Sequence, residues 1–155
     1  MENSACSFTG HREIFKDDIS LIESNTKAEI TGLIKSGVKF FISGGAIGYD
    51  ILCGNIVIEL KKIYPDIKLY LALPCKEQDK YWSDEQKKNY DKLLKSADKL
   101  IYVSDSYFRG CMHKRNRYMV DNSEYIISYC TKQTGGTYYT TKYAEKQGKK
   151  IINIL

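Results

Sequence analysis

Val38-Lys39-Phe40-Phe41-Ile42-Ser43-Gly44-Gly45-Ala46-Ile47-Gly48-Tyr49-Asp50 is the stretch whose reading decides the fold. Its first half is a short apolar run of the kind that fills a strand covered on both faces. Glycines follow at once. Beyond them Leu52, Ile56, Leu60 and Ile63 recur at helical spacing until Pro65 stops the pattern. A strand that turns through glycine straight into an amphipathic helix is the first part of a βαβ unit. The same grammar appears twice more, as Thr9-Gly10-His11-Arg12 after the run 5–8 and as Thr134-Gly135-Gly136-Thr137 after the run 125–130.

Working outward, apolar runs and amphipathic segments alternate along the whole chain. Strands are expected over 5–8, 38–43, 68–73, 99–103, 125–130 and 150–154. The first helix carries Ile19, Ile22, Ile30, Leu33 and Ile34 and ends at Gly37, a suitable residue just past a helix end. Ser83-x-x-Gln86 reads as a capping box opening a third helix with Tyr90, Leu93, Leu94 and Ala97. Two more helices are expected over 112–121 and 137–147, the latter before Gly148. This alternation implies right-handed crossovers and an α/β fold, a Rossmann-like open, mainly parallel sheet with helices on both faces. Without an internal repeat or linker, residues 1–155 read as a single domain.

Composition narrows the function classes. A 155-residue chain with 43% apolar and 28% charged residues suits a globular domain with a proper core. No apolar run nears the roughly 20 residues that span a bilayer, so no membrane partner is expected. The polar start Met1-Glu2-Asn3-Ser4 fits neither a signal nor a transit peptide. Cys6, Cys53, Cys75, Cys111 and Cys130 are odd in number and contain no CxxC pair. That argues against a disulfide framework and a zinc site, and for the cytoplasm. No metal and no cofactor are expected. The net charge of +5 is dispersed except at His113-Lys114-Arg115-Asn116-Arg117. A local anion site explains that cluster better than a nucleic-acid surface, which needs a broader basic face.

All three glycine turns fall at strand carboxyl ends, where open α/β sheets bind ligands. Glycine lets backbone amides approach an anion, and a helix start adds free N–H donors. Thr9 and Gly10 precede His11, which can carry a proton near neutral pH, and Arg12, whose guanidinium can grip a phosphate through two parallel bonds. Ser43, Gly44, Gly45 and Gly48 precede Asp50, which sits in a first helical turn. Arg115, Asn116 and Arg117 place cations near a helix start, where a bound anion would offset their cost; Met112 and Met119 share the face of Arg115 and Asn116. Gly135, Gly136 and Thr137 make the strongest anion turn of the set. Each turn also has a purely structural alternative, tight packing of helix on sheet, and each loop cation can simply be solvated.

Together with Cys6-Ser7-Phe8-Thr9-Gly10-His11-Arg12, the motifs Ser43-Gly44-Gly45-Ala46-x-Gly48-x-Asp50, Pro74-Cys75-x-x-Gln78-x-x-x-Trp82, Gly110-Cys111-Met112-x-x-Arg115-Asn116-Arg117-x-Met119-Val120-Asp121 and Gly135-Gly136-Thr137 resemble the YpsA-like proteins. These are small members of the SLOG superfamily, named after the Smf (DNA-processing protein A) and Lonely-guy families. The resemblance runs nearly end to end. It implies a Rossmann-like domain that binds a nucleotide or nucleotide-derived ligand as a sensor or binding module, with homodimers possible. Pro74, Gln78 and Trp82 join the site by the same resemblance, Trp82 either stacking on the ligand or anchoring a loop.

The segment 112–119 also resembles the first motif of the Lonely-guy phosphoribohydrolases, Met-His-x-Arg-Lys-x-x-Met, with Asn116 for Lys. Their second motif, Pro-Gly-Gly-x-Gly-Thr-x-x-Glu, is only partly kept: Gly136 and Thr137 match, and Thr140 stands where the catalytic Glu belongs. Cleaving a glycosidic bond needs a carboxylate, so the resemblance leans away from catalysis. Nucleoside 5′-monophosphate N-glycosidase is the alternative, drawing on Asp50, Glu77 or Asp121, with His11 or His113. Single-stranded DNA binding ranks last.

Overall fold

The computed structural model describes residues 4–155; Met1, Glu2 and Asn3 of the polar start and of the 1–155 span lie outside the described residues. The elements run β1 (Ala5–Gly10), α1 (Ile19–Lys35), β2 (Phe40–Ser43), α2 (Tyr49–Lys61), β3 (Lys68–Leu73), α3 (Asp84–Ser96), β4 (Lys99–Tyr102), α4 (Cys111–Asp121), β5 (Tyr125–Tyr129), α5 (Gly136–Lys146) and β6 (Lys150–Asn153). A 3-10 turn at Lys16–Asp18 leads into α1. The six strands form one all-parallel sheet in the order β4-β3-β2-β1-β5-β6. The expected Rossmann-like α/β fold is therefore what the chain adopts.

Right-handed crossovers from β1 to β4 step in one direction and stack α1, α2 and α3 on one face of the sheet, in contact with one another. The chain then reverses, and α4 and α5 cover the other face. The reversal leaves β1 with β2 on one side and β5 on the other, so the switch point of the sheet lies between β1 and β5. Most of the apolar core sits beneath α1–α3, with Phe41, Leu69, Leu71 and Ile127 fully buried among Ile22, Ile30, Val57 and Leu93.

Boundary shifts have local causes. β1 runs through Thr9 and Gly10 because both pair with Ser128 and Tyr129 of β5. Val38 instead closes α1: its amide donates to Leu33 O and the Gly37 amide to Ile34 O, the paired C-terminal bonds of a Schellman motif. The expectation of strands covered on both faces holds for the central four; β4 and β6 are edges with mostly exposed or half-buried side chains. The capping box is present in full, Ser83 Oγ accepting from the Gln86 amide and Gln86 Oε1 from the Ser83 amide. Ser83→Ala is expected to lower stability by about 1 kcal/mol in a denaturant melt; an unchanged midpoint would mean that α3 starts without that cap.

Candidate functional site

At the carboxyl edge of β1 and β5, a cavity of about 480 Å³ opens between the starts of α4 and α5. Thr9, Gly10, His11 and Arg12 line it from β1, Ala46 and Asp50 from the β2–α2 turn, Met112, His113, Arg115 and Asn116 from α4, and Lys132, Thr134, Gly135, Gly136, Thr137 and Tyr139 from the β5–α5 segment. The three turns separated in sequence thus meet at the switch point.

They do not meet in the same role. The glycines of the first two turns are spaces filled by the protein itself. A Cβ on Gly10 would overlap the ring of Tyr49, and one on Gly48 would overlap the backbone of Arg12. These two glycines let the β1 loop lie directly on the start of α2, where the Tyr49 amide donates to His11 O. The Ser43–Gly45 corner is likewise closed on itself. The Gly45 amide donates to Ser43 Oγ, the Ala46 amide to Asp50 Oδ2, and Ser43 Oγ to Asp50 O. The expectation that Gly44 and Gly45 offer amides to a ligand is therefore revised: from this turn only Ala46 and Asp50 reach the cavity.

The third turn is open. No atom lies within 4 Å of where a Cβ on Gly135 or Gly136 would stand. Gly135 caps α5 with φ near +97°, no side chain caps the helix, and its first residues line the cavity. Beside them Arg12 is exposed, and its guanidinium makes no hydrogen bond or ion pair with the protein among the described residues. A free fork of five donors and an uncapped helix start therefore line one cavity.

Arg115 is the reverse case. It is only 4% exposed and its guanidinium serves the protein. Nη1 donates to Gly44 O at 2.6 Å, Ala72 O at 3.3 Å and Gln78 Oε1 at 3.5 Å, while Nε donates to Asn116 Oδ1 at 2.8 Å. Burial pulls its pKa down, and the nearby Asp50 charge partly opposes that. The arginine expected to supply charge to a ligand is thus a clamp joining the ends of β2 and β3 to α4. Gln78, buried as well, donates to Gly44 O and the Tyr90 hydroxyl.

Asp50 is 8% exposed. Burial pushes its carboxyl up to about 6, against the opposing pull of Arg115, the Ala46 amide and Arg12. Oδ2 accepts from Ala46, whereas Oδ1 accepts no hydrogen bond from the described residues. His11 is pinned: Nε2 accepts from the Thr131 amide at 2.9 Å, and the ring stands edge-on to Tyr129. Burial first, then Lys132, lowers its pKa, and the bond from the Thr131 amide occupies Nε2 as an acceptor.

Several expected residues lie elsewhere. Met119 is buried in the second core cluster with Ala5, Ile42 and Ala72, not in the cavity. Pro74 is buried at the end of β3. Arg117 faces outward over the Tyr143 ring and borders a small adjoining hollow with His113, Asn116 and Tyr139. Thr140 donates its hydroxyl to Gly136 O, so no carboxylate occupies that position. Of the substitute carboxylates, Asp121 accepts from the Tyr143 hydroxyl at the far end of α4, and Glu77 belongs to a neighbouring cavity; Asp50 alone lines the switch-point cavity.

That neighbouring cavity, about 670 Å³, is lined by Ile47, Tyr81, Trp82, Tyr107, Gln78 and Gln86 among others, and it shares Arg12 and Met112 with the first. Trp82 lines this neighbouring cavity, and its ring stands edge-on to Tyr90. Lys132, Ile47 and Tyr81 were not singled out in the sequence. Their only signal was a place in the segments that follow β5, β2 and β3.

A doubly wound, all-parallel sheet with a cavity at its switch point defines a Rossmann-like α/β protein. The particular family follows from comparison: the YpsA model, described as the YspA SLOG family, matches residues 6–154, and the chain belongs to that family. It is 39% identical over 132 residues to the SPbeta prophage-derived protein YoqJ of Bacillus subtilis, covering 77% of each chain. It is 28% identical over 132 residues to the UPF0398 protein BH1768 of Halalkalibacterium halodurans, covering 83% of this chain and 70% of that one. Among solved structures, DNA processing protein A from Streptococcus pneumoniae superposes with a TM-score of 0.68 at 14% identity, covering 98% of this chain and 50% of that one. The Helicobacter pylori protein, described with a single-stranded DNA binding mode, gives 0.67 at 18% identity, covering 97% and 64%. The chain thus spans half to just under two thirds of those two proteins, and at these identities the likeness is one of fold. Among the described residues, no helix is long and apolar enough to cross a membrane.

Proposed function

We propose that the protein binds the phosphate of a nucleotide or nucleotide-derived ligand at the switch-point cavity. One observation carries this reading: of three glycine turns, only 134–137 is left open by the protein, and the unpaired guanidinium of Arg12 lines the same cavity. The anion rests on the first amides of α5 and on Arg12, with Thr137 and Asn116 orienting it. Arg115, Gln78 and Ser43 hold the walls in place and do not touch the ligand's charge.

Calorimetry with AMP, ADP and inorganic pyrophosphate against phosphate-free adenosine tests this. Phosphate-bearing probes should bind and adenosine should not, and Arg12→Ala should weaken binding by about tenfold or more, as expected for loss of a charge-assisted pair worth roughly 1.5–3 kcal/mol. Absence of heat from every phosphate-bearing probe sinks the reading.

Asp50 favours a second reading, a nucleotide N-glycosidase. A buried carboxylate with a raised pKa, on the wall of a phosphate cavity, has the setting of a general acid or base. Steady release of free adenine from AMP, abolished in Asp50→Asn, supports it; no release under saturating AMP excludes it.

A further inference from the structure

Two of the five cysteines come together outside the apolar core. Cys75 stands just past the end of β3, and Cys111 is the first residue of α4. Both are buried, at 0% and 1% exposure. The Cys111 thiol acts on that of Cys75 through a side-chain hydrogen bond as well as by charge, so the two sulfurs lie in contact. The helix is anchored at the same place: Arg115, one turn beyond Cys111, donates to Ala72 O near the end of β3. The other three cysteines have different surroundings. Cys6 and Cys53 are members of the main apolar cluster, and Cys130 Sγ donates to Lys132 O at 3.2 Å. Cys75 and Cys111 belong to none of the three apolar clusters.

Each of the pair adjoins a surface segment. Residues 76–82 follow Cys75 and include the exposed Tyr81; residues 105–110, exposed throughout, lead into Cys111. Ser104, where the second segment leaves β4, has a buried Oγ with no hydrogen-bond partner among the described residues. A segment that buries so little and leaves a hydroxyl unsatisfied opens at low cost, which gives a small polar oxidant a path to the thiols. The cavity of about 670 Å³ lies between these same segments, with Gln78, Tyr81 and Trp82 on one wall and Tyr107 and Met112 on the other.

We propose that Cys75 and Cys111 are a reversible, peroxide-sensitive dithiol whose disulfide ties the 76–82 segment to the head of α4 and stiffens both walls of that cavity. Burial pushes the Cys75 thiol up, which leaves the first attack to Cys111. The Cys111 sulfur attacks a peroxide oxygen; the S–O bond forms, the O–O bond breaks, and the departing hydroxide takes the thiol proton as water. The Cys75 sulfur then attacks the Cys111 sulfur. The S–O bond breaks, and the hydroxyl leaves with the Cys75 proton as a second water. Two thiols and one peroxide become one disulfide and two waters. A lone reversible bond of this kind differs from a structural disulfide framework.

The test treats the full chain with hydrogen peroxide, then quenches, unfolds and alkylates it, and maps the cross-link by mass spectrometry of a digest made without reductant. One disulfide should join Cys75 to Cys111, with Cys6, Cys53 and Cys130 still alkylated, and dithiothreitol should reverse it. Closing the 75–111 loop should raise the melting midpoint by about 5 °C or more. Hydrogen exchange over 76–82 and 104–110 should slow on oxidation and recover on reduction. Cys130→Ser should cross-link like the parent. Cys75→Ser should leave Cys111 as a sulfenic or sulfinic acid, with no rise in midpoint. Five alkylated thiols after peroxide, or a disulfide through Cys130, overturns the proposal, and so does a cross-link that leaves exchange in both segments unchanged. None of these readouts depends on a phosphate ligand.

Discussion

Arg115→Ala should cost about 3–5 kcal/mol of folding stability, the loss expected when one partner of a buried charge network is deleted. The variant removes every donor that Gly44 O shares with Arg115, leaves Ala72 O without this bond, and strands the Asp50 carboxylate beside an empty space. Gln78 alone then holds Gly44 O, through a longer 3.3 Å bond. A domain of this size loses roughly 2–4 °C of melting temperature per kcal/mol, so the midpoint should fall by about 10 °C. Arg115→Lys restores charge but not the Nε bond to Asn116, and it should recover only part of the loss. A melting curve unchanged in Arg115→Ala, together with lost phosphate binding, would show that the side chain faces the ligand after all.

That expectation reverses what the residue types suggest, and the reversal shows what the sequence carries. The alternation of apolar runs and amphipathic helices is a local pattern, so strand and helix positions, the capping box at Ser83 and the helix end at Gly37 were all readable. Strand order follows from crossover handedness and from where the chain reverses, and the location of the cavity follows from that order. The fate of an individual polar group is not local. Nothing in Gly-Gly-Ala distinguishes a turn whose amides await a ligand from one whose amides are taken by Ser43 and Asp50. Arg12 and Arg115 are the same residue type beside equally suggestive motifs; only the fold shows one in water and the other 4% exposed under three acceptors. Met119 was misread for a related reason. A helical face shared with Arg115 fixes the side of α4 but not the depth, and one turn further along that side is already core.

The network that Arg115 clamps also stores energy, and Asp50→Asn should release it. In an unfolded chain this carboxyl titrates near 3.8, and in the fold burial raises it to about 6. Protonated Asp50 is therefore favoured by folding. Its contribution is fully present below about pH 3.8 and is lost as pH rises through about 6. At pH 7.5 the ionised group costs roughly 3 kcal/mol, from about two pKa units at 1.36 kcal/mol each. Asparagine keeps the shape and an acceptor for the Ala46 amide without the charge. The variant should be more stable than the parent at pH 7.5 by up to about 3 kcal/mol, and the gain should vanish near pH 4. Because Asp50 and Arg115 oppose each other's desolvation, the two changes are coupled. Arg115→Ala should cost less in the Asp50→Asn background, where no carboxylate is left stranded. A protein made more stable by losing a cavity-facing carboxylate has kept that charge for the site and not for the fold. Were Asp50→Asn to melt lower than the parent at pH 7.5, the carboxylate would be a structural partner of Arg115, and its role toward a ligand would lose its physical basis.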